Sequence, residues 1–162
     1  MENEKFISVI RENQNLIFKI CYSYCNNYEN RKDLEQEILI QLWKSFKKFD
    51  GRVKISTWIY RIALNTAISF YRKEDKTNKN TIPIDTSIIS LTNIEDDSEL
   101  NEKISILYKL IEKLNEFDKA LILLYLDDYK YIDIAGILGI SKTNVATKIS
   151  RIKKALKEKV KY

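Results

Sequence analysis

Apolar residues recur at helical spacing along nearly the whole chain, and each run reads as a helix with one apolar and one polar side. Residues 3–28 read as one or two helices with Phe6, Ile10, Ile17, Ile20, Cys21 and Tyr24 turned inward, and the stretch Asn26–Asn30 breaks the pattern as a loop. Residues 32–49 form the clearest helix of the first half. At 100° per residue, Leu34, Ile38, Leu39, Leu42, Trp43, Phe46 and Phe49 fall within one half-turn. Asp33, Gln36, Glu37, Gln41, Lys44, Lys47 and Lys48 fall on the other side, and the pair Asp50-Gly51 ends the helix in a turn. Residues 55–73 predict another helix, capped by Ser56 or Thr57, with Ile55, Ile59, Ile62, Ala63, Thr66 and Phe70 as its core side. The periodicity is lost over 74–99 and returns over 99–126, where Leu100, Ile104, Leu107, Tyr108, Ile111 and Leu114 make one stripe. Phe117–Leu126 is nearly all apolar, predicts a buried helix, and is closed by Asp127-Asp128.

The stretch from Tyr131 to Leu156, YIDIAGILGISKTNVATKISRIKKAL, has the spacing of a helix-turn-helix. Ala135 is small where two helices would cross, Gly139 can take a positive-φ turn after Leu138, and Ser141 suits the N-cap of the second helix. Ile134, Leu138, Ile140, Val145, Ile149, Ile152 and Leu156 supply the apolar side. Lys142, Thr143, Asn144, Thr147, Lys148 and Arg151 are left facing outward, as donors to phosphates and base edges in a major groove. The plain alternative is a helical hairpin with a solvated basic face. Lys130 is a poor cap for the first helix because it cannot accept from the free N–H groups, a cost of about 1 kcal/mol. Asp133 in the first turn offsets part of that cost through the helix dipole.

Composition sharpens this outline. Three Gly and one Pro in 162 residues argue against a β-rich fold with many tight turns, so the expected class is all-α. The expected layout is two small helical domains, residues 1–73 and 100–162, joined by an acidic linker over 74–99, at least partly disordered. Charge follows the same division: residues 1–72 carry +4, residues 73–106 carry −4 and residues 107–162 carry +5. Between Thr81 and Glu102 there are six acids and no Lys or Arg, which keeps that segment off DNA. From Lys142 onward eight Lys/Arg face one acid, Glu158, which reads as a nucleic-acid footprint or, less often, a solubilising face; an anionic membrane is a third option, but the apolar side of the tail is needed to pack the hairpin. Cys21 and Cys25 lie four apart without a histidine anywhere, a poor metal site and ordinary buried thiols. No phosphate-binding Gly loop, dinucleotide pattern, zinc-protease motif or nucleophile elbow occurs, and no isolated acid pair stands out for acid–base work. No catalytic residue, metal, cofactor or small-molecule substrate is therefore expected. Lacking a signal peptide or a run of 18 apolar residues, the chain is expected to be cytoplasmic.

Two outward faces in the first half carry possible chemistry. Ile40 sits among the polar positions of its helix, ringed by Asp33, Gln36 and Glu37, like the centre and rim of a small docking patch. A single exposed Ile is also ordinary. On the next helix Arg61, Asn65, Ser69 and Arg72 share a stripe at steps of 4, 4 and 3, bordered by Trp58. Cations that hold phosphates beside an aromatic that stacks on unpaired bases suit a single strand. A buried Trp beside a solvated charge row is the bland reading.

The order of these motifs resembles a known family. A DLxQE helix, a TWxYRIAxN helix, a variable acidic linker and a helix-turn-helix followed by RIKKAL together resemble a bacterial RNA polymerase sigma factor of the extracytoplasmic-function (ECF) class, within the sigma-seventy family. The likeness covers almost the whole chain and retains regions two and four alone. It implies that Asp33, Gln36, Glu37 and Ile40 bind the clamp helices of the polymerase β′ subunit. It implies that Trp58, Arg61, Asn65 and Arg72, with Arg52 and Lys54 in the preceding loop, engage the melted minus-ten promoter element. Lys142, Thr143, Asn144, Thr147, Lys148 and Arg151 would read the minus-thirty-five element as duplex, and the β flap would hold the C-terminal domain. It also implies an anti-sigma factor, often at the inner membrane face, that masks the polymerase-binding surfaces. The chain departs from relatives at Asn144 and Ala146, where Thr and a basic residue are common, so the preferred DNA sequence is left open. A stand-alone helix-turn-helix regulator is the alternative, and it gives the DLxQE helix no purpose. A nucleic-acid enzyme using carboxylate-bound metal would need acids clustered beside the basic stripe.

Overall fold

The computed structural model describes residues 1–77 and 98–160, with side chains described over 1–73 and 101–159. Every regular element among them is an α-helix: α1 (Glu2–Glu12), α2 (Gln14–Tyr24), α3 (Tyr28–Phe46), α4 (Ile55–Thr77), α5 (Ser98–Glu112), α6 (Glu116–Leu126), α7 (Tyr131–Leu138) and α8 (Lys142–Val160). The chain divides into two compact units, Met1–Ile84 and Asp85–Tyr162. No described helix is long and apolar enough to cross a membrane.

In the first unit α2, α3 and α4 pack on one another and α1 lies against α2. The break between α1 and α2 falls at Asn13, whose side-chain amide donates to the Val9 carbonyl at 2.8 Å and occupies an acceptor at the end of the first helix. The expected loop over Asn26–Asn30 is shorter than the pattern implied. Asn27 caps α3, its side-chain oxygen accepting from the Asn30 N–H at 2.8 Å, so helix begins at Tyr28. Leu34, Ile38 and Leu42 are fully buried, whereas Leu39, Phe46 and Phe49 are half-buried. Trp43, expected inward, is 42% exposed. Its cover is α1, which buries none of its own residues and reaches the indole with the Phe6 ring, edge-on at 5.0 Å.

Helix α4 runs four residues past Lys73, to Thr77. Ser56 and Thr57 lie inside its first turn rather than at the cap; the Trp58 N–H donates to the Lys54 carbonyl at 3.1 Å. Its buried side is Ile59, Tyr60, Ala63, Leu64, Ala67 and Ile68, while the expected Ile55, Ile62, Thr66 and Phe70 are half-buried. The shift has a simple cause: α4 packs on both α2 and α3, so two arcs of its circumference are covered. Cys21 and Cys25 are buried free thiols. Burial pushes Cys21 up to about 12, with Cys25 and Glu35 adding to the rise and Arg31 opposing it.

In the second unit α8 packs on α5, α6 and α7. Asn115 caps α6 by accepting from the Asp118 N–H at 2.8 Å. The helix is buried from Lys119 through Leu124, but Leu126 is exposed. It ends as expected at Asp127, with Asp128 at φ 63°, a left-handed turn that Asp tolerates better than most residues.

Candidate nucleic-acid and docking surfaces

The helix-turn-helix forms as its spacing requires. Lys130 precedes α7 with no side-chain cap, and its carbonyl accepts from Asp133 and Ile134 N–H, each at 3.0 Å. Gly139 ends α7 at φ 72°, and the Gly139 and Ile140 N–H groups both donate to the Ala135 carbonyl, at 2.9 and 3.2 Å. Ser141 caps α8: its hydroxyl oxygen accepts from the Asn144 N–H at 3.1 Å. Such a cap contributes about 1 kcal/mol. Ile134, Ala135, Val145, Ile149 and Ile152 are buried.

On the opposite side of α8, Lys142, Thr143, Asn144, Thr147 and Arg151 are exposed and Lys148 is half-buried. The Thr147 hydroxyl donates to the Thr143 carbonyl at 3.0 Å. Two cations rest on aromatic rings of α6: the Lys148 ammonium lies 5.5 Å from the Phe117 centroid, and Lys153 lies 5.0 Å from Tyr125. Lys153 also donates to the Tyr125 hydroxyl at 2.9 Å, which raises its pKa. These contacts tie α8 to α6 and brace Lys148 among the candidate residues, while Lys142 and Arg151 are exposed. The sequence pattern gave no hint of them, because they pair residues far apart in the chain.

On α3, Asp33, Gln36 and Ile40 are exposed, Ile40 by 46%, and Glu37 is half-buried. Glu37 accepts from the Gln41 side-chain amide at 3.1 Å, which restricts its carboxylate. The four residues share one face of one helix, and the exposed Trp43 lies one turn beyond Ile40.

On α4, Arg61, Asn65, Ser69 and Arg72 are exposed along one stripe. Trp58 is half-buried, its ring 5.2 Å from Phe49 and 6.3 Å from Phe46, so it is braced by the end of α3 while one part reaches solvent. The preceding loop is a turn organised by Asp50. That carboxylate accepts from the Arg52 N–H at 3.0 Å and pairs with the Arg52 Nε at 3.1 Å, with Gly51 at φ 78° between them. Arg52, Val53 and Lys54 are exposed there. No group of three or more potential metal ligands occurs among the described residues.

A helix-turn-helix with a cationic outer face in one unit, and an exposed Ile amid polar side chains beside a cationic stripe in the other, fit the class of nucleic-acid-binding factors that work with a protein partner. Comparison with known proteins is specific. Residues 9–77 match sigma-70 region 2, and residues 104–156 match sigma-70 region 4. The chain is 30% identical to the ECF RNA polymerase sigma-E factor of Haemophilus influenzae, over 79% of this chain and 73% of that protein. It is 25% identical to the ECF RNA polymerase sigma factor SigW of Bacillus subtilis, over 98% and 90%. The sigma factor RpoE of Bartonella quintana, solved in complex with the anti-sigma factor NepR, superposes with a TM-score of 0.74 at 19% identity, covering 98% of this chain and 99% of that one. The chain belongs to the ECF subfamily of the sigma-70 family, the factors that direct RNA polymerase to promoters.

Proposed function

We propose that the two units divide promoter recognition between opened and closed DNA, and that core RNA polymerase holds both. Residues 1–73 form the opening half, residues 100–162 the duplex half, and residues 74–99 the link between them. Asp33, Gln36, Glu37 and Ile40 dock on the β′ clamp helices. Trp58, Arg61, Asn65 and Arg72, with Arg52 and Lys54, take the unpaired minus-ten element. Lys142, Thr143, Asn144, Thr147, Lys148 and Arg151 lie in the major groove of the minus-thirty-five element, and the β flap holds the unit that carries them.

The observation that carries this reading is the match of residues 9–77 to sigma-70 region 2 and of residues 104–156 to sigma-70 region 4 in one chain, with Ile40 exposed amid polar side chains as the centre of a docking patch. A stand-alone duplex-binding regulator gives that patch nothing to do. The physical logic follows from weak parts. Each unit's DNA contacts are few and salt-sensitive. Fixing both units on polymerase makes the second contact effectively intramolecular. Capture of unpaired bases directs binding free energy to the melted state, which is how the factor supports opening without catalysing anything. RNA synthesis belongs to the polymerase. An anti-sigma partner, like NepR in the Bartonella quintana complex, would act by covering the docking face. Such a partner could also keep this cytoplasmic factor at the inner membrane face.

The test is transcription in vitro. Core polymerase with the full chain is expected to initiate at a subset of genomic promoters where core alone does not. Gel shifts on the same promoters are expected to require core. Tight, specific binding of the chain alone to duplex, without initiation in the presence of core, would leave the stand-alone regulator as the better reading.

A further inference from the structure

We propose that Asn144 sets the base preference of the recognition helix, and that the base it selects is adenine. The inference rests on the reading of α8 as the helix that enters the major groove, and it concerns what that helix reads there.

The polar side chains of the first two turns of α8 are Lys142, Thr143, Asn144, Thr147 and Lys148, and the last two are already engaged. The Ser141 hydroxyl accepts from the Asn144 N–H. Val145 and Ile149 are buried, and Ala146 has no polar side-chain atom. Thr147 has its one hydroxyl proton on the Thr143 carbonyl, and the Lys148 ammonium sits over Phe117. That leaves Lys142, Thr143 and Asn144, all exposed. Lysine offers donors alone, which suit the two acceptors of guanine, and a Thr hydroxyl pairs with donors and acceptors alike, so neither selects adenine. The Asn144 amide presents one donor and one acceptor side by side, the complement of adenine N6 and N7. Its main chain is held by the Ser141 cap, and among the described residues nothing hydrogen-bonds its side-chain amide. The first arginine of the helix, the side chain best suited to guanine, is Arg151, seven residues further on and about 10 Å along the axis. It therefore serves a different part of the site.

The experiment uses holoenzyme made from core polymerase and the full chain, on templates in which each base pair of the minus-thirty-five element is replaced in turn. Wild type is expected to prefer adenine at one position by roughly 5- to 150-fold, the discrimination of one bidentate pair. Asn144→Ala should flatten the preference at that position alone. Asn144→Arg should move it to guanine. An unchanged preference in both variants, or a loss spread evenly over the element, overturns the assignment. Arg151→Ala on the same templates separates the two levels of failure. If it weakens promoter use while Asn144→Ala leaves every base preference intact, the adenine assignment falls and groove docking stands. If neither substitution alters promoter use, both fall.

Discussion

Helices α3 and α8 are built alike and presented differently. Each has three deeply buried anchors on one side, Leu34, Ile38 and Leu42 in α3 and Val145, Ile149 and Ile152 in α8. Each is nineteen residues long and capped by a small polar side chain, Asn27 or Ser141. Their outward faces then diverge. That of α3 is acidic at its start, with an exposed Ile at the centre; that of α8 is cationic, with hydroxyls and one amide. The same scaffold therefore presents two kinds of outward chemistry. A central apolar residue with a polar rim suits a protein surface, where desolvation supplies most of the binding free energy. A row of cations suits a polyanion, where counterion release does.

The largest effect is expected from reversing a charge at the rim of the α3 patch. Glu37→Lys should weaken association with core polymerase by roughly 100-fold or more, because a like charge placed across an interface costs several kcal/mol. Glu37 is half-buried on the surface of α3, so circular dichroism should be unchanged. Wild-type affinity for core in this variant would dissolve the contrast between the faces. The matching change on the other side is Lys148→Ala with Arg151→Ala. It should reduce use of the minus-thirty-five element by about tenfold, leave core binding intact, and lower the salt slope by about one per lost phosphate contact. Promoter selection that survives this double substitution would remove α8 from the DNA.

Ile40→Ala probes the apolar centre alone. A core affinity lower by about tenfold, with no change in salt dependence, is the expected result of truncating a buried anchor by more than about 1 kcal/mol. A loss of affinity that vanishes at high salt would mean that the rim, not the centre, carries the contact.

How far these faces could be read from sequence depends on how each helix is packed. The apolar arc is a faithful guide at Leu34, Ile38 and Leu42, and the turn at Gly139 and cap at Ser141 are signalled by residue type alone. On α4, packed against α2 and α3, the buried arc is wider than the apolar pattern suggests. Tyr60, Leu64 and Ala67 are fully buried although they lie outside the arc that Ile55, Ile59 and Ile62 suggest. Trp43 fails in the opposite sense. It belongs to the apolar arc of α3, but the helix beside it is too short and too polar to enclose an indole. Lys119 is buried within α6, and a lone charge in an apolar run gives no sign of that. At the candidate sites, Asp33, Gln36, Arg61, Asn65 and Arg151 are exposed as the pattern implied. The bracing of Trp58 by Phe49 and of Lys148 by Phe117 depends on tertiary neighbours that spacing along one helix cannot reveal.

Beneath the surface the two units respond differently to their own chemistry. Ser141→Ala removes the α8 cap and should destabilise the second unit by about 1 kcal/mol, leaving the first unit unaffected.

The smallest effect concerns Cys21, in the core of the first unit, whose neighbours include Cys25, Glu35 and Arg31. Burial holds its thiol neutral up to about 12, against 9.0 for an ordinary cysteine. Between those values the unfolded chain gives up a proton that the folded chain keeps. The folded state then binds more protons, so stability falls as pH rises. The contribution of Cys21 is nearly complete below pH 9 and declines above it, by roughly 1 kcal/mol or less between pH 8 and 9.5. Other groups titrate in that window, so the measurement is a difference: urea unfolding of wild type and Cys21→Ala at both pH values. The variant is less stable at pH 8 because it lacks a packed side chain, and its deficit should narrow at pH 9.5 by that amount. A deficit that stays constant would show that Cys21 ionises as readily inside the unit as outside it. No such narrowing is expected of the second unit, whose core contains no thiol.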